Sequence, residues 1–329
     1  LKGHGQVIEE FINYQIRLFN TEDSDHGGPF IYHFVVLLMG CFPASLFLIL
    51  AHKKSSTDLP YQMHTKRWMM SLFWVVLILF SIVQTKIVHY SSLCYFPLTY
   101  LATYGIQKLM AGQYQWKKWF HIFFIAISSL LGIAFLLVGC VPLIKPWLIA
   151  SNLIADEFAI ENLKANVHWS GYEWLIGLAF LMSSLFSLVK IKSGSFKFIY
   201  LLFFGSLLSV YSLIMVIAPK VEQYSQHAAI EFYEQCAKHK FYVETIGFKS
   251  YATLFYGELE PTFKTNTSFN NYVLQKKADY EAQNLNIDVS YSLIRTQWMK
   301  DIVSNRTCCF VSKLKDGDDI KLNLSLIHI

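Results

Sequence analysis

The sequence has 329 residues, of which 54% are hydrophobic and 16% are charged. A soluble domain carries about 25% charged residues, so this composition excludes an ordinary soluble protein and indicates a membrane protein. The six cysteines follow no spacing typical of a disulfide framework or a zinc site. No glycine-rich nucleotide loop and no Ser-His-Asp signature is present, which argues against an ATP-driven or nucleotide-sugar enzyme. No nucleic-acid partner is predicted.

Residues 1–30 form a polar segment that contains an amphipathic helix. Apolar residues recur at positions 8, 11, 12, 16 and 19, which is the spacing of one helix face. The first residue is not methionine and no signal-peptide pattern follows it, so we expect the sequence to be a fragment of a longer chain.

Six apolar stretches follow between residues 31 and 218. A bilayer core of about 30 Å needs roughly 20 apolar residues per helix. By that measure the sequence predicts six transmembrane helices, at approximately 31–51, 68–85, 87–107, 119–141, 172–189 and 198–218. The third contains Ser91, Ser92, Pro97 and Thr99, so we expect it to face protein or a cavity rather than lipid.

The remaining residues, 219–329, differ in character. Their pattern predicts one helix over 221–238 and another over 291–305. Residues 241–246 and 308–312 have the composition of strands. Helices that alternate with strands predict a small α/β domain after the six-helix region.

Basic residues are distributed unevenly between the two sets of connections. One set carries ten basic residues and a single acid, Asp58. The ten are Lys53, Lys54, Lys66, Arg67, Lys108, Lys117, Lys118, Lys190, Lys192 and Lys197. The other set has five basic and nine acidic residues, over 1–30, 86–90, 142–171 and Glu173. Since basic loops stay in the cytoplasm, the first set is predicted to be cytoplasmic, and the second set and the tail 219–329 extracytoplasmic.

Lys86, His89 and Tyr90 lie in the short connection between the second and third stretches. A lysine with a histidine and a tyrosine at the edge of a membrane can hold an anionic lipid headgroup through charge and hydrogen bonds. The alternative is a lysine that extends to the membrane interface beside a tyrosine of the aromatic belt. The residue types alone leave both interpretations open.

A second group lies on the same predicted side of the membrane and comprises Glu9, Glu10, Tyr14, Arg17, His26, Tyr32 and His33. Ionisable residues at membrane depth are unusual, so this group predicts a polar cavity. The alternative is that its histidines are packing residues. A divalent metal on His26, His33 and His89 is a further candidate, although no regular spacing enforces it.

Several motifs, in this order along the chain, resemble a known family. Tyr14-x-x-Arg17 is followed by the runs from His26 to His33 and from Gly40 to Pro43. The run from Ser81 to Tyr90 fits an S-x-x-x-x-K-x-x-x-Y turn, and the run from Glu244 to Tyr256 is similar to the extracytoplasmic tail domain of a Bacteroidota-like branch. Together they resemble the later part of bacterial glycosyltransferases of the GT-C superfamily, which includes protein O-mannosyltransferases and the aminoarabinose transferase of lipid A.

The resemblance implies an α-helical polytopic enzyme of the bacterial cytoplasmic membrane. Such an enzyme moves a sugar from a polyprenyl-phosphate carrier to a lipid A, glycolipid or protein acceptor on the extracytoplasmic side. The donor phosphate is expected on Lys86, Arg17 and Tyr90, in a cavity lined by Tyr14, His26, Tyr32, His33 and His89. The family's acidic catalytic residues lie in an earlier loop, so we expect them upstream of this sequence and assign none here.

A non-catalytic membrane scaffold with a binding tail is one alternative function. The other is a membrane transporter or flippase-like binding protein for lipid-linked sugars. A second set of six spans upstream that repeats the present six would favour it. An acidic first extracytoplasmic loop upstream would favour the enzyme.

The orientation can be tested with single cysteines at positions 54 and 276. If residues 53–67 are cytoplasmic and 219–329 are extracytoplasmic, a membrane-impermeant maleimide outside intact spheroplasts should label Lys276→Cys. The same reagent should leave Lys54→Cys unlabelled until the membrane is opened. Labelling of position 276 from the cytoplasmic side alone would reverse the orientation, and with it the assignment of Lys86 to the donor site.

Overall fold

A computed structural model gives the fold, and the residues that the structure describes are 5–21, 27–54, 57–151, 153–246, 248, 250–257, 267–282, 296–299 and 307–312. The chain divides into two compact units. The first comprises Leu1–Ile144 and Trp169–Ile217, and the second comprises Lys145–His168 and Ala218–Ile329.

The first unit is helical in its described residues. Its elements are α1 (Gly5–Asn20), α2 (Tyr32–Gly40), α3 (Ala44–Ala51), α4 (Pro60–Ile82), a 3₁₀ helix (Val88–Cys94), α5 (Tyr95–Met110), α6 (Lys118–Gly139), the start of α7 (Val141–Ala150), α9 (Trp174–Lys192) and α10 (Phe198–Val216). The short helix α3 forms the centre of the unit, since all of its residues except Ile49 are buried.

Four described helices are long and apolar enough to cross a membrane. They are α4, α6, α9 and α10, the last with its continuation to Ser225. The pair α2 and α3 passes the same test, but its two helices are bent by 108°. The described residues therefore support a polytopic membrane protein with four candidate spans, or five if the bent pair is one span, and the prediction of six is not confirmed.

Local geometry explains the two stretches that differ from the prediction. The stretch at 31–51 is interrupted between Gly40 and Ala44, where Pro43 has no N–H to continue the helical bonding. The stretch at 87–107 begins as a 3₁₀ helix and becomes α-helical only at Tyr95. The 16 residues of α5 are about 24 Å long at 1.5 Å per residue, which is short of the bilayer core.

Helices α6 and α9 pack with their backbones in close contact. A Cβ atom at Gly177 of α9 would lie 2.4 Å from the backbone nitrogen of Leu136, and one at Gly139 of α6 would lie 2.6 Å from the Cα of Trp174. Small residues allow such approaches where the hydrophobic effect does not drive helices together in lipid. These glycines therefore set the spacing of the two helices.

Gly177→Ala should separate α6 from α9, because the new methyl group has no room beside the backbone of Leu136. We expect a loss of about 1–3 kcal/mol in the free energy of unfolding, the usual cost of overpacking. The matched control is Gly40→Ala in α2, where nothing lies within 4 Å of the added Cβ. Thermal unfolding in detergent measures both variants, and equal stability of the two would contradict this account of the α6–α9 contact.

Asp58 joins the connection between α3 and α4 to the end of α5. Its side chain is 2% exposed and lies 2.5 Å from the Nζ atom of Lys108. The hydroxyl of Tyr104 donates to its other oxygen at 2.5 Å, and Lys108 also donates to the hydroxyl of Thr57 at 3.0 Å. The single acid among the basic connections is thus buried and paired with a partly buried lysine.

Asp58→Ala should leave the partly buried Lys108 ammonium without its buried counter-charge. Breaking a buried ion pair costs about 3–5 kcal/mol, so we expect a large drop in melting temperature. Glu161→Ala provides the control, since its ion pair with Lys164 is half exposed and worth about 0.2–1 kcal/mol. A loss at Asp58 no larger than that at Glu161 would show that the buried pair does not hold the connection.

The second unit combines helices with a two-stranded parallel sheet among its described residues. The elements are the end of α7, α8 (Glu157–Lys164), α11 (Ala218–Ser225), α12 (His227–Lys238), β1 (Tyr242–Ile246), α13 (Ala252–Phe255), α14 (Thr267–Ala282) and β2 (Cys308–Ser312). Both predicted strands are confirmed, and Val243 pairs with Cys309. Of the helix predicted at 291–305, the described residues 296–299 are helical. A complete α/β domain over 219–329 stays a prediction, because much of that range lies outside the described residues.

The sheet packs against α12. In the same unit, two lysines form hydrogen bonds to the segment 145–168. Cys236 of α12 is buried in one cluster with Val243 and Cys309, and burial raises the pKa of its thiol to about 12. The ammonium of Lys145 donates to the carbonyl of Ala165 at 2.8 Å, and that of Lys220 donates to the carbonyl of His168 at 2.7 Å. Through Lys220, the residues that follow α10 therefore contact the segment between α6 and α9.

Candidate donor-phosphate site

Lys86 is buried at the end of α4, with 4% of its surface exposed. Its ammonium donates to the carbonyls of Phe80 at 3.3 Å and Ser81 at 2.7 Å, and to that of Val83. Carbonyls in the last turn of a helix have no donor within the helix, and a positive charge there is favoured by the helix dipole. Lys86 therefore caps α4 from the connection that follows it.

The position of Lys86 has an electrostatic cost. Burial lowers the pKa of its ammonium from the ordinary value, because removal from water disfavours the charged form. The three carbonyl contacts offset part of that cost by accepting its three N–H bonds. An anion placed beside Lys86 would raise its pKa again, because a nearby negative charge stabilises the protonated ammonium.

Two residues from the N-terminal side form one wall of the site. A Cβ atom added to Gly28 would lie 3.2 Å from the Cγ of Lys86 and 3.4 Å from the ring of Tyr32. The lysine stem thus lies directly against the glycine backbone. The sequence carried a signal for this contact in the Gly27-Gly28-Pro29 run, which sequence reasoning treated only as a loop.

A row of rings continues from this wall. The centroid of Tyr32 is 5.0 Å from that of His33, and His33 is 6.4 Å from Phe80. Phe80 is 5.5 Å from Tyr90, which is 5.3 Å from His89. The structure therefore brings together Tyr32, His33, His89 and Tyr90, which the sequence placed in one cavity, around a phenylalanine that it did not single out.

Three buried polar atoms beside Lys86 have no hydrogen-bond partner among the described residues. They are both ring nitrogens of His33 and the hydroxyl of Ser81. Buried polar atoms are normally paired, so an unpaired group calls for a partner from outside the chain, such as water or a ligand. The arrangement offers a polar ligand one ammonium, one imidazole and one hydroxyl.

Helix α1 is bonded to the connection that carries Lys86. The backbone nitrogen of Gln84 donates to the carbonyl of Phe19 at 3.1 Å, and the hydroxyl of Thr85 donates to the carbonyl of Thr21 at 2.8 Å. On α1 the guanidinium of Arg17 lies over the ring of Tyr14, 5.1 Å from its centroid. Both side chains are exposed, so a role for them at the phosphate stays a prediction.

The predicted role of His26 and the predicted metal site depend in part on residues outside those that the structure describes. His26 lies outside them, and within them no three His, Cys, Asp or Glu side chains converge to hold a metal ion. A metal on His26, His33 and His89 therefore stays a prediction. Glu173, which the sequence placed only among the acids of the second set of connections, is buried and accepts the N–H groups of Ser170 and Gly171 at 2.8 and 2.9 Å, so it supports the turn before α9.

Two curated proteins are similar to parts of this chain. The undecaprenyl phosphate-alpha-4-amino-4-deoxy-L-arabinose arabinosyl transferase of Wigglesworthia glossinidia brevipalpis is 31% identical over 109 residues, which are 30% of this chain and 18% of the relative. The transferase of the same name from Enterobacter sp. (strain 638) is 32% identical over 157 residues, which are 46% of this chain and 26% of the relative. The chain is similar to undecaprenyl-phosphate sugar transferases. No family model and no solved structure matches it.

The similarity supports the resemblance to the GT-C superfamily at the level of a membrane-bound glycosyltransferase. The matched parts span about a quarter or less of these relatives, so what the whole proteins do is not thereby shown for this chain. Neither name refers to mannose or to protein O-glycosylation, and those two predictions receive no support. The cytoplasmic membrane and the extracytoplasmic C-terminus stay predictions.

Proposed function

We propose that the protein transfers a sugar from a polyprenyl-phosphate carrier to an acceptor on the extracytoplasmic side of the bacterial cytoplasmic membrane. The similarity to two undecaprenyl-phosphate sugar transferases carries this proposal. The buried ammonium of Lys86, with unpaired polar atoms beside it, supports it from within the chain.

The chemistry of the transfer explains why a buried ammonium is useful. When the sugar leaves its carrier, negative charge develops on the departing polyprenyl phosphate. In our proposal Lys86 exchanges one of its carbonyl partners at the end of α4 for a phosphate oxygen. A phosphate oxygen adds to this hydrogen bond the attraction between opposite charges, which a neutral carbonyl does not supply, and that attraction is strongest where water is excluded.

The neighbouring side chains have roles in the same proposal. His33 and Ser81 hold the unpaired polar atoms and hydrogen-bond the phosphate or the hydroxyls of the sugar. Tyr90 lies against Phe80 and closes the site from the side of the 3₁₀ helix. Arg17 adds positive charge from α1, whose end is bonded to the residues before Lys86.

The acceptor hydroxyl must lose a proton during the transfer, and a carboxylate is the usual base for that task. We assign this role to no residue of this chain, in keeping with the family's use of an earlier loop. For the acceptor we retain lipid A, another glycolipid and a protein hydroxyl. Comparing the sugar on the lipids and on the proteins of a deletion strain distinguishes them.

Lys86→Ala removes the proposed charge-assisted contact with the carrier phosphate. Such a contact is worth roughly 1.5–3 kcal/mol, so donor affinity or transfer rate should fall about ten- to a hundredfold. Lys86→Arg should retain part of the activity, although its planar group fits the carbonyls of α4 less well. The measurements are transfer of radiolabelled sugar and binding of the lipid donor, both per folded protein.

The control separates this role from helix capping, because Lys86→Ala also leaves carbonyls of α4 without a donor. Lys54→Ala removes an exposed lysine from a predicted cytoplasmic loop and should change neither measurement. If Lys86→Ala lowers only the melting temperature and its folded fraction binds and transfers normally, the phosphate role is wrong. Without the upstream loop we expect this chain alone to be inactive, so transfer is measured on the protein extended to include that loop. Normal donor binding by that longer protein with no transfer to any acceptor would instead favour a transporter or flippase-like binding protein.

A further inference from the structure

The second unit contains a cavity of about 860 Å³ that the proposed transfer does not use. Its walls come from α8, from the adjoining ends of α11 and α12, from α13 and from the end of β2. Apolar side chains dominate the lining, among them Phe158, Ala229, Ile230, Phe248, Ala252 and Val311. Cavities of this size and character hold small-molecule ligands.

The lining also includes polar residues, which are Asp156, Asn162, Ser225, Gln226, Tyr233, Ser250 and Ser312. They include a carboxylate, which disfavours an anionic ligand. A carboxylate oxygen of Asp156 accepts the N–H of Phe158 at 3.0 Å, and the hydroxyl of Ser250 accepts the N–H of Ala252 at 3.2 Å. Among the described residues that line the cavity there is no lysine, arginine or histidine. A phosphate or carboxylate would find no cation here, whereas an uncharged hydrocarbon would find an apolar surface to contact.

The elements around the cavity carry large apolar side chains that face outward. Trp147 and Leu153, which precede α8, are 61% and 68% exposed, and Tyr251 and Phe255, beside and within α13, are 67% and 77% exposed. Helix α7, which contains Trp147, is an apolar helix of ten residues, too short to span a bilayer. Exposed apolar groups of this kind, with a tryptophan among them, are typical of segments that lie in a membrane interface.

We propose that the second unit binds the acyl chain of a membrane lipid in this cavity, between α8, α12 and α13. Tyr251 and Leu153 are close in sequence to residues of the lining, and their exposed side chains add apolar surface that a hydrocarbon can contact. The proposal does not rest on sugar transfer, because it concerns a different unit and a different chemistry. For an amphiphile that arrives from water, each methylene buried in the cavity should tighten binding about fourfold until the cavity is full.

Photolabelling of the full chain tests the site. The protein is placed in nanodiscs of phosphatidylcholine whose acyl chain carries a diazirine, and labelled peptides are identified by mass spectrometry. We expect label on residues 225–233 and 248–252 in addition to the membrane-spanning helices. Ala229→Trp places an indole in the wall of the cavity and narrows it, so labelling of those two segments should fall severalfold. Gln223→Trp adds the same indole at an exposed position of α11, outside the lining, and should leave the labelling unchanged.

Label confined to α4, α6, α9 and α10 in the unchanged protein would overturn the proposal. Equal labelling of both segments in a normally folded Ala229→Trp variant would also overturn it. If that variant fails to fold, the test uses the unchanged protein. Alkyl maltosides of increasing chain length are then added as competitors, and the loss of photolabel from the two segments is measured. Potency that rises about fourfold per methylene and then levels off is expected of a closed cavity. Potency that keeps rising with every added methylene indicates partition into the bilayer and contradicts the site.

Discussion

The last carbonyl groups of α4 lie beyond the reach of any donor in their own helix, and Lys86 supplies three N–H bonds to them. Within a membrane such groups must be satisfied by the protein itself, because lipid tails offer no hydrogen bonds. The chain therefore has to turn back after α4. That return sets Tyr90 against Phe80 and brings Thr85 to the end of α1. The buried ammonium of Lys86 thus holds the chain in its path after α4, and the same ammonium is proposed to bind the carrier phosphate.

The length and composition of the apolar stretches were sufficient to predict the later spans. The stretches predicted at 119–141, 172–189 and 198–218 correspond to α6, α9 and α10, because an unbroken apolar run of that length has few alternatives to a helix in lipid. The earlier stretches were less predictable. Hydropathy counts residues without regard to backbone geometry, so it registers neither the bend before Ala44 nor the 3₁₀ turn before Tyr95.

The candidate site was partly predictable from the residue types at the ends of the apolar stretches. Residues 86–90 and 32–33 are polar or aromatic at the ends of apolar stretches, and the packing of α2 against α4 brings them together. Gly28 and Ser81 stand in the motifs that carry the resemblance, but the sequence predicts no contact for either. A glycine contact and a buried hydroxyl become visible only when the neighbouring chain is in place. The sequence also left open where the Lys86 ammonium would point, since capping depends on the exact course of the connection.

The second unit is assembled from two pieces of chain that α9 and α10 separate. During synthesis the segment 145–168 leaves the ribosome long before its partners in α11 and α12 exist, and its ends are closed across a long loop. The lysines at 145 and 220 lie on opposite sides of that interval, and both bond to the earlier segment. Synthesis of α9 and α10 must therefore precede completion of this unit. Only a chain that has been made as far as the C-terminal residues can complete its fold.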